Sequence, residues 1–169
     1  MLVRLPALAI ALSLTALTGL TAWASSSAAP PTVECRSIIH PVGPFSWRPE
    51  RVVLGVAAVP PAYIPQTVPS GVRKWPYWSK SGLVIRAHSP PVLVSVPRRW
   101  RKRVAITWGN VDVASALRIA SCPPSSSLGA WNPYSGGFYL RSRSACVPLT
   151  FRVGSRTSTV RFGVGKRCT

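Results

Sequence analysis

The sequence contains very few acidic residues. Of its 169 residues, 21 are Lys or Arg and only 3 are Asp or Glu, so the formal net charge is +18. Glu34, Glu50 and Asp112 are the only side-chain carboxylates. Calcium sites and most glycosidase active sites need clustered or paired carboxylates. Three scattered acids argue against both kinds of site.

Residues for nucleophilic and metal chemistry are equally scarce. His40 and His88 are the only histidines, and neither has an acidic neighbour in sequence. No G-x-S-x-G elbow, C-x-x-C pair or paired His is present, so a catalytic serine or a zinc site lacks its usual sequence pattern. We expect a protein with no metal, no cofactor and no enzymatic activity. A hydrolase that uses His40 or His88 is the less favoured alternative.

Uninterrupted helical segments are also lacking, because the 18 prolines and 12 glycines are spread along the chain. Apart from a helix expected in the N-terminal signal peptide described below, only 111–121 could form a helix, and it alternates well enough to favour a strand. Alternating β-branched and aromatic residues predict eight strands, at 51–59, 83–87, 92–96, 103–108, 115–121, 137–141, 147–153 and 158–164. With 47% hydrophobic residues, we predict an all-β fold, an antiparallel β-sandwich or partly closed barrel of seven or eight short strands. Segments 60–82 and 123–136 are expected to be long loops.

The N-terminus has the layout of a secretory signal peptide. Arg4 precedes an uncharged apolar run to Thr21, and Ala22-Trp23-Ala24 offers small residues at both positions that a signal peptidase reads. We expect cleavage after Ala24, a flexible tail over 25–34 and one domain over 35–169. Retention of the run as a membrane anchor is the alternative. Cleavage would leave 145 residues with 20 basic and 3 acidic side chains.

All four cysteines lie in the part that would be exported, and an even number predicts two disulfides. Four cysteines allow three pairings. Cys122 and Cys146 lie at the ends of predicted strands, and neither belongs to the alternating apolar positions that would face the core. Two such cysteines at neighbouring strand ends could bond to each other, which favours this pairing. That choice leaves Cys35 to pair with Cys168 and tie down the two ends, while the other pairings stay open.

Basic and aromatic residues form two mixed clusters and one aromatic group. The first cluster is expected at a hairpin tip and is a candidate polyanion-binding site, in which Arg could bind phosphate, sulfate or carboxylate; it comprises Arg98, Arg99, Trp100, Arg101, Lys102 and Arg103. The second cluster could be an aromatic loop that stacks on glycan rings or packs back onto the core; it contains Arg73, Lys74, Trp75, Tyr77, Trp78 and Lys80. The aromatic group could form a second aromatic loop, although packing against the expected Cys122–Cys146 bond is favoured; it contains Trp131 and Tyr134.

The charge and the export signal together suggest the partners. A strongly basic protein attracts polyanions over long range, and outside the cell these are envelope polymers, lipid headgroups and acidic polysaccharides rather than intracellular nucleic acid. Arg exceeds Lys by 17 to 4, a bias typical of GC-rich bacterial genes. We therefore expect a secreted or envelope-associated binding protein, with a protein-interaction module using the aromatic loops as the alternative.

Overall fold

The computed structural model describes residues 28–40, 51–125 and 128–168. The predicted signal peptide lies outside these residues. Strands dominate, and the helices of the described part are two single 3-10 turns at Cys35–Ser37 and Arg98–Trp100. The fourteen described strands are β1 (Thr32–Val33), β2 (Arg51–Val53), β3 (Ala57–Val59), β4 (Tyr63–Ile64), β5 (Val68–Val72), β6 (Trp75–Lys80), β7 (Leu83–Arg86), β8 (Val92–Ser95), β9 (Val104–Trp108), β10 (Ala116–Ile119), β11 (Trp131–Tyr134), β12 (Gly136–Leu140), β13 (Ala145–Val153) and β14 (Arg156–Val164).

The strands form three sheets, in which most neighbours are antiparallel. Sheet A has the order β1-β10-β8-β13-β14-β4, sheet B the order β11-β7-β3-β2, and sheet C the order β5-β6-β12-β9. The two-residue strands β1 and β4 pair in parallel with β10 and β14. The predicted all-β class with antiparallel pairing is confirmed.

Every one of the eight predicted segments contains a strand, including 115–121, where β10 forms in the one region that could also have been a helix. Segment 51–59 is divided into two strands. Leu54 and Gly55 both have positive φ, 54° and 74°, and the amide of Val56 donates to the carbonyl of Val53. Positive φ at both central residues is the geometry of a tight turn that reverses a hairpin, and residues 54–56 therefore divide the segment into β2 and β3.

Three predicted irregular segments also contain strands. Loop 60–82 holds β4, β5 and β6, loop 123–136 holds β11, and the predicted tail holds β1, whose Val33 is fully buried. Pro69 and Pro133 interrupt the sequence pattern of β5 and β11. Both strands lie at sheet edges, where proline is tolerated because no neighbouring strand needs its missing N–H.

Buried side chains from all three sheets form one core cluster. In β9, Val104, Ile106 and Trp108 alternate into this cluster and are at most 1% exposed. Phe138 packs between two further rings, 5.7 Å from Trp108 and 5.6 Å from Phe162 between centroids. Burial of each such side chain contributes about 1.5–3 kcal/mol to the free energy of unfolding.

All four cysteines form disulfides, but the favoured pairing is wrong. Cys35 bonds to Cys122, and Cys146 bonds to Cys168. The first bond forms because parallel pairing sets Val33 opposite Ile119 and so carries Cys35 to the end of β10. The second forms at the open end of the β13–β14 hairpin, beside the C-terminal segment. Two disulfides indicate an oxidising, extracellular environment. Among the described residues, no helix is long and apolar enough to cross a membrane.

Candidate functional site

The basic segment 98–103 connects two different sheets and is not the tip of a hairpin. It leaves β8, which belongs to sheet A, and enters β9, which belongs to sheet C. Its five cations are exposed, whereas Trp100 is half-buried and packs against the core. The guanidinium of Arg103 lies 5.6 Å from the Trp100 ring centroid. Trp100 therefore anchors the segment, and the cations around it face solvent.

The second basic cluster is the β5–β6 hairpin, with Arg73 and Lys74 exposed at its turn. Trp75 is only 7% exposed. The ammonium of Lys74 lies 5.5 Å from its ring, and the guanidinium of Arg141 lies 6.0 Å from it. Trp75 is thus buried beneath two cations and presents little ring surface for stacking on a sugar.

Arg141 joins the two clusters. Its backbone N–H donates to the carbonyl of Arg103 at 3.0 Å, while its side chain reaches Trp75 in the hairpin. The pairing of β12 with both β6 and β9 in sheet C explains this position. We call the combined surface the basic end; its exposed cations are Arg73, Lys74, Arg98, Arg99, Arg101, Lys102, Arg103 and Arg141.

The basic end carries a strong positive field. Eight cations belong to it, and the whole chain has only three side-chain carboxylates. Even if every acid paired here, five charges would remain without an acidic partner. Concentrated cations of this kind raise the local concentration of polyanions and speed their association.

Trp131 and Tyr134 lie in β11 of sheet B and are not part of the basic end. Tyr134 is 1% exposed, and its hydroxyl donates a weak hydrogen bond to the Cys122 Sγ at 3.7 Å. Burial raises the pKa of the Tyr134 phenol to about 12. Trp131 is half-buried beneath the guanidinium of Arg86, 4.9 Å from the ring centroid. Tyr134 is therefore a core residue of the described structure.

The remaining aromatic residues of 73–80 face opposite sides of sheet C. Tyr77 packs against the core and has the guanidinium of Arg143 5.7 Å from its ring. Trp78 faces outward beside Tyr139, with 4.7 Å between ring centroids. Near this edge of the sheet, an open cleft of about 640 Å3 includes Gln66, Val68 and Arg143 in its lining.

Sequence reasoning did not identify Arg141 or Arg143 as site residues. The available signal was their position, since Arg141 is the last residue of one predicted strand and Arg143 lies between that strand and the next. Their proximity to segments 98–103 and 73–80 depends on the order of strands in sheet C, which joins residues more than 30 positions apart. No local sequence pattern encodes that order.

His40 and His88 are both exposed. Within the described ranges, no group of three His, Cys, Asp or Glu side chains could hold a metal ion. The chain matches no protein-family model, no curated protein and no solved structure. The geometry of the basic end is therefore the main basis for a functional inference.

Proposed function

We propose that this protein is an exported, non-catalytic binding protein that associates with anionic polymers of the cell envelope or extracellular space through the basic end. The observation that carries the proposal is the junction at Arg141, which brings cations from 73–74 and 98–103 to one end of sheet C. Arg side chains bind carboxylate, phosphate and sulfate in bidentate geometry. The exposed row of cations would supply several such contacts at once.

The architecture supports this role. The proposal takes the three sheets as walls of one sandwich or partly closed barrel, since all of them contribute side chains to a single buried cluster. The two disulfides would hold that scaffold rigid outside the cell. A rigid scaffold keeps the cations of the basic end at fixed spacing, which lowers the conformational entropy lost on binding.

Retention on immobilised heparin tests the proposal when two triple variants are compared. Arg73→Gln/Arg99→Gln/Lys102→Gln removes three exposed charges from the basic end. Arg118→Gln/Arg152→Gln/Arg161→Gln removes three exposed charges from sheet A. None of the six cations lies over a described aromatic ring.

Wild-type protein is expected to stay bound at physiological salt, and the basic-end variant should elute at clearly lower salt than the sheet A variant. Elution of the wild type below physiological salt would overturn polyanion association. Equal elution of the two variants would overturn the assignment to the basic end, because both have lost the same net charge.

A second candidate function is docking to another exported protein. It is favoured by the edge strand β5, where Val68 is 50% and Val72 is 38% exposed. Exposed edge strands can pair with a strand of another chain. Failure of the heparin test would favour this reading over the first.

A further inference from the structure

An uncharged aromatic pair lies on the outer face of sheet C. The register of β6 and β12 sets Trp78 directly opposite Tyr139, and their ring centroids are 4.7 Å apart. Both are half-buried, and neither packs against the core cluster, which receives their neighbours Tyr77 and Phe138 instead. On the other side of Trp78, the register places Val68, which is 50% exposed. Three apolar side chains thus form a strip across three strands.

The rings of this pair differ from the other half-buried aromatic rings in having no cation above them. A Lys or Arg lies within about 6 Å of five other Trp and Tyr rings, those of Tyr63, Trp75, Tyr77, Trp100 and Trp131. Trp108 and Tyr134 are fully buried. Among the described residues, Trp78 and Tyr139 are therefore the half-buried Trp and Tyr rings that the protein's own cations leave uncovered.

Cations flank the pair in both strand directions. Lys80 follows Trp78 by two residues and is exposed, so it lies on the same face about 6.6 Å further along the strand. Arg141 follows Tyr139 by two residues and belongs to the basic end. Because β6 and β12 are antiparallel, Lys80 and Arg141 lie on opposite sides of the aromatic pair.

We propose that the strip Val68–Trp78–Tyr139 is a binding site for an acidic polysaccharide, with sugar rings stacked on Trp78 and Tyr139 and their carboxylates directed to Lys80 and Arg141. This inference rests on the proposed function and names its ligand class. The C–H face of a sugar ring is apolar and carries slight positive charge, so it packs favourably on the negative face of an aromatic ring. A polymer of charged sugar rings matches the alternation of cation, ring and cation along the sheet.

The test compares two carboxylated polymers that differ in whether they contain sugar rings. Polygalacturonate carries both rings and carboxylates, and poly-L-glutamate carries carboxylates alone. The variants are Trp78→Ala, the conservative Trp78→Phe, and Lys80→Gln, with Tyr63→Ala as the aromatic control on sheet A. Thermal unfolding of each purified variant with both disulfides intact identifies those that are folded.

Trp78→Ala is expected to weaken polygalacturonate binding on the order of tenfold, the scale of losing one aromatic stacking contact, and to leave poly-L-glutamate binding unchanged. Trp78→Phe should recover most of the loss. Lys80→Gln should reduce the salt dependence of polygalacturonate binding, whereas Trp78→Ala should lower the affinity without changing that dependence, because stacking releases no counterions. Tyr63→Ala should alter neither polymer's affinity.

Equal loss for the two polymers in Trp78→Ala, or no loss for either, would overturn this inference while leaving polyanion binding intact. If the wild type bound neither polymer, the proposed function would be overturned as well. Vesicles containing anionic phospholipid provide a third probe. If Trp78→Ala abolished vesicle binding but not polygalacturonate binding, the strip would be a lipid site and the glycan assignment would be wrong.

Discussion

Gly163 lies where the C-terminal segment crosses strand β14. A methyl group added at its Cα would lie 2.2 Å from the carbonyl oxygen of Lys166 and 3.0 Å from the amide nitrogen of Cys168. Both contacts are with backbone, which cannot rotate away as a flexible side chain would. The close approach lets Cys168 reach Cys146, the residue directly opposite Gly163 in the hairpin.

Replacement of Gly163 by Ala is expected to lower the free energy of unfolding by about 1–3 kcal/mol, as for other overpacked sites. Gly82→Ala is the matched control, since its φ is ordinary and nothing lies within 4 Å of the added methyl group; it should be neutral or slightly stabilising. Urea unfolding with both disulfides intact measures the two effects. Equal stabilities of the two variants would contradict the crossing at Gly163.

The Tyr134 phenol predicts a change of stability at alkaline pH. Its pKa rises from 10.0 in the unfolded chain to about 12 in the folded protein. Between these values the folded state holds a proton that the unfolded state has lost. The contribution of the Tyr134 phenol to the free energy of unfolding is therefore fully present below pH 10 and is lost as the pH rises through 12. Phenolate absorbance should reveal one late-titrating tyrosine that is missing in Tyr134→Phe. Identical titration curves for the two proteins would refute this account.

At the scale of elements, the part of the fold that could be predicted is the part encoded locally. Alternation identified β9 and the hairpin of β13 and β14, because each has one buried and one solvated face. Pro69 and Pro133 interrupt the alternating pattern of the edge strands β5 and β11, so the pattern did not predict these strands. The parallel contact of β1 with β10 joins residues 86 positions apart at Thr32 and Arg118, and no nearby residues signal it. The disulfide pairing was wrong for the same reason.

The two disulfides should stabilise the elements that they join by different amounts. Cys35 and Cys122 are 87 residues apart, and Cys146 and Cys168 are 22 residues apart. The chain-entropy model predicts that removing the first bond costs about 4.6 kcal/mol and the second about 3.4 kcal/mol. Unfolding of the Cys35→Ser/Cys122→Ser and Cys146→Ser/Cys168→Ser proteins measures the difference.

Greater stability of Cys35→Ser/Cys122→Ser than of Cys146→Ser/Cys168→Ser would contradict the predicted order. The pairing itself can be mapped independently. Trypsin cleaves after Arg141 and Arg143, which separates Cys122 from Cys146. Under non-reducing conditions, the Cys146 peptide should therefore remain linked to the Cys168 peptide and not to that of Cys122.

At the scale of the whole molecule, the charge of +18 from only three acids indicates attraction to polyanions but not a binding site. In the sequence, the basic residues lie in separate segments, and no local pattern relates these segments to one another. The order of strands in sheet C relates them, because β12 lies between β6 and β9 and ends at Leu140, directly before Arg141. Other exposed cations, such as Arg118 and Arg152, belong to sheet A and not to sheet C.

The central claim is that polyanions bind at the basic end and not through net charge alone. The most direct test is the dependence of heparin affinity on salt concentration for the wild type and the two triple variants. Each lost contact removes about one unit from the slope of log K against log salt. The account predicts that Arg73→Gln/Arg99→Gln/Lys102→Gln lowers the slope by about two to three, and that Arg118→Gln/Arg152→Gln/Arg161→Gln leaves it nearly unchanged. Equal slopes for the two variants would contradict it.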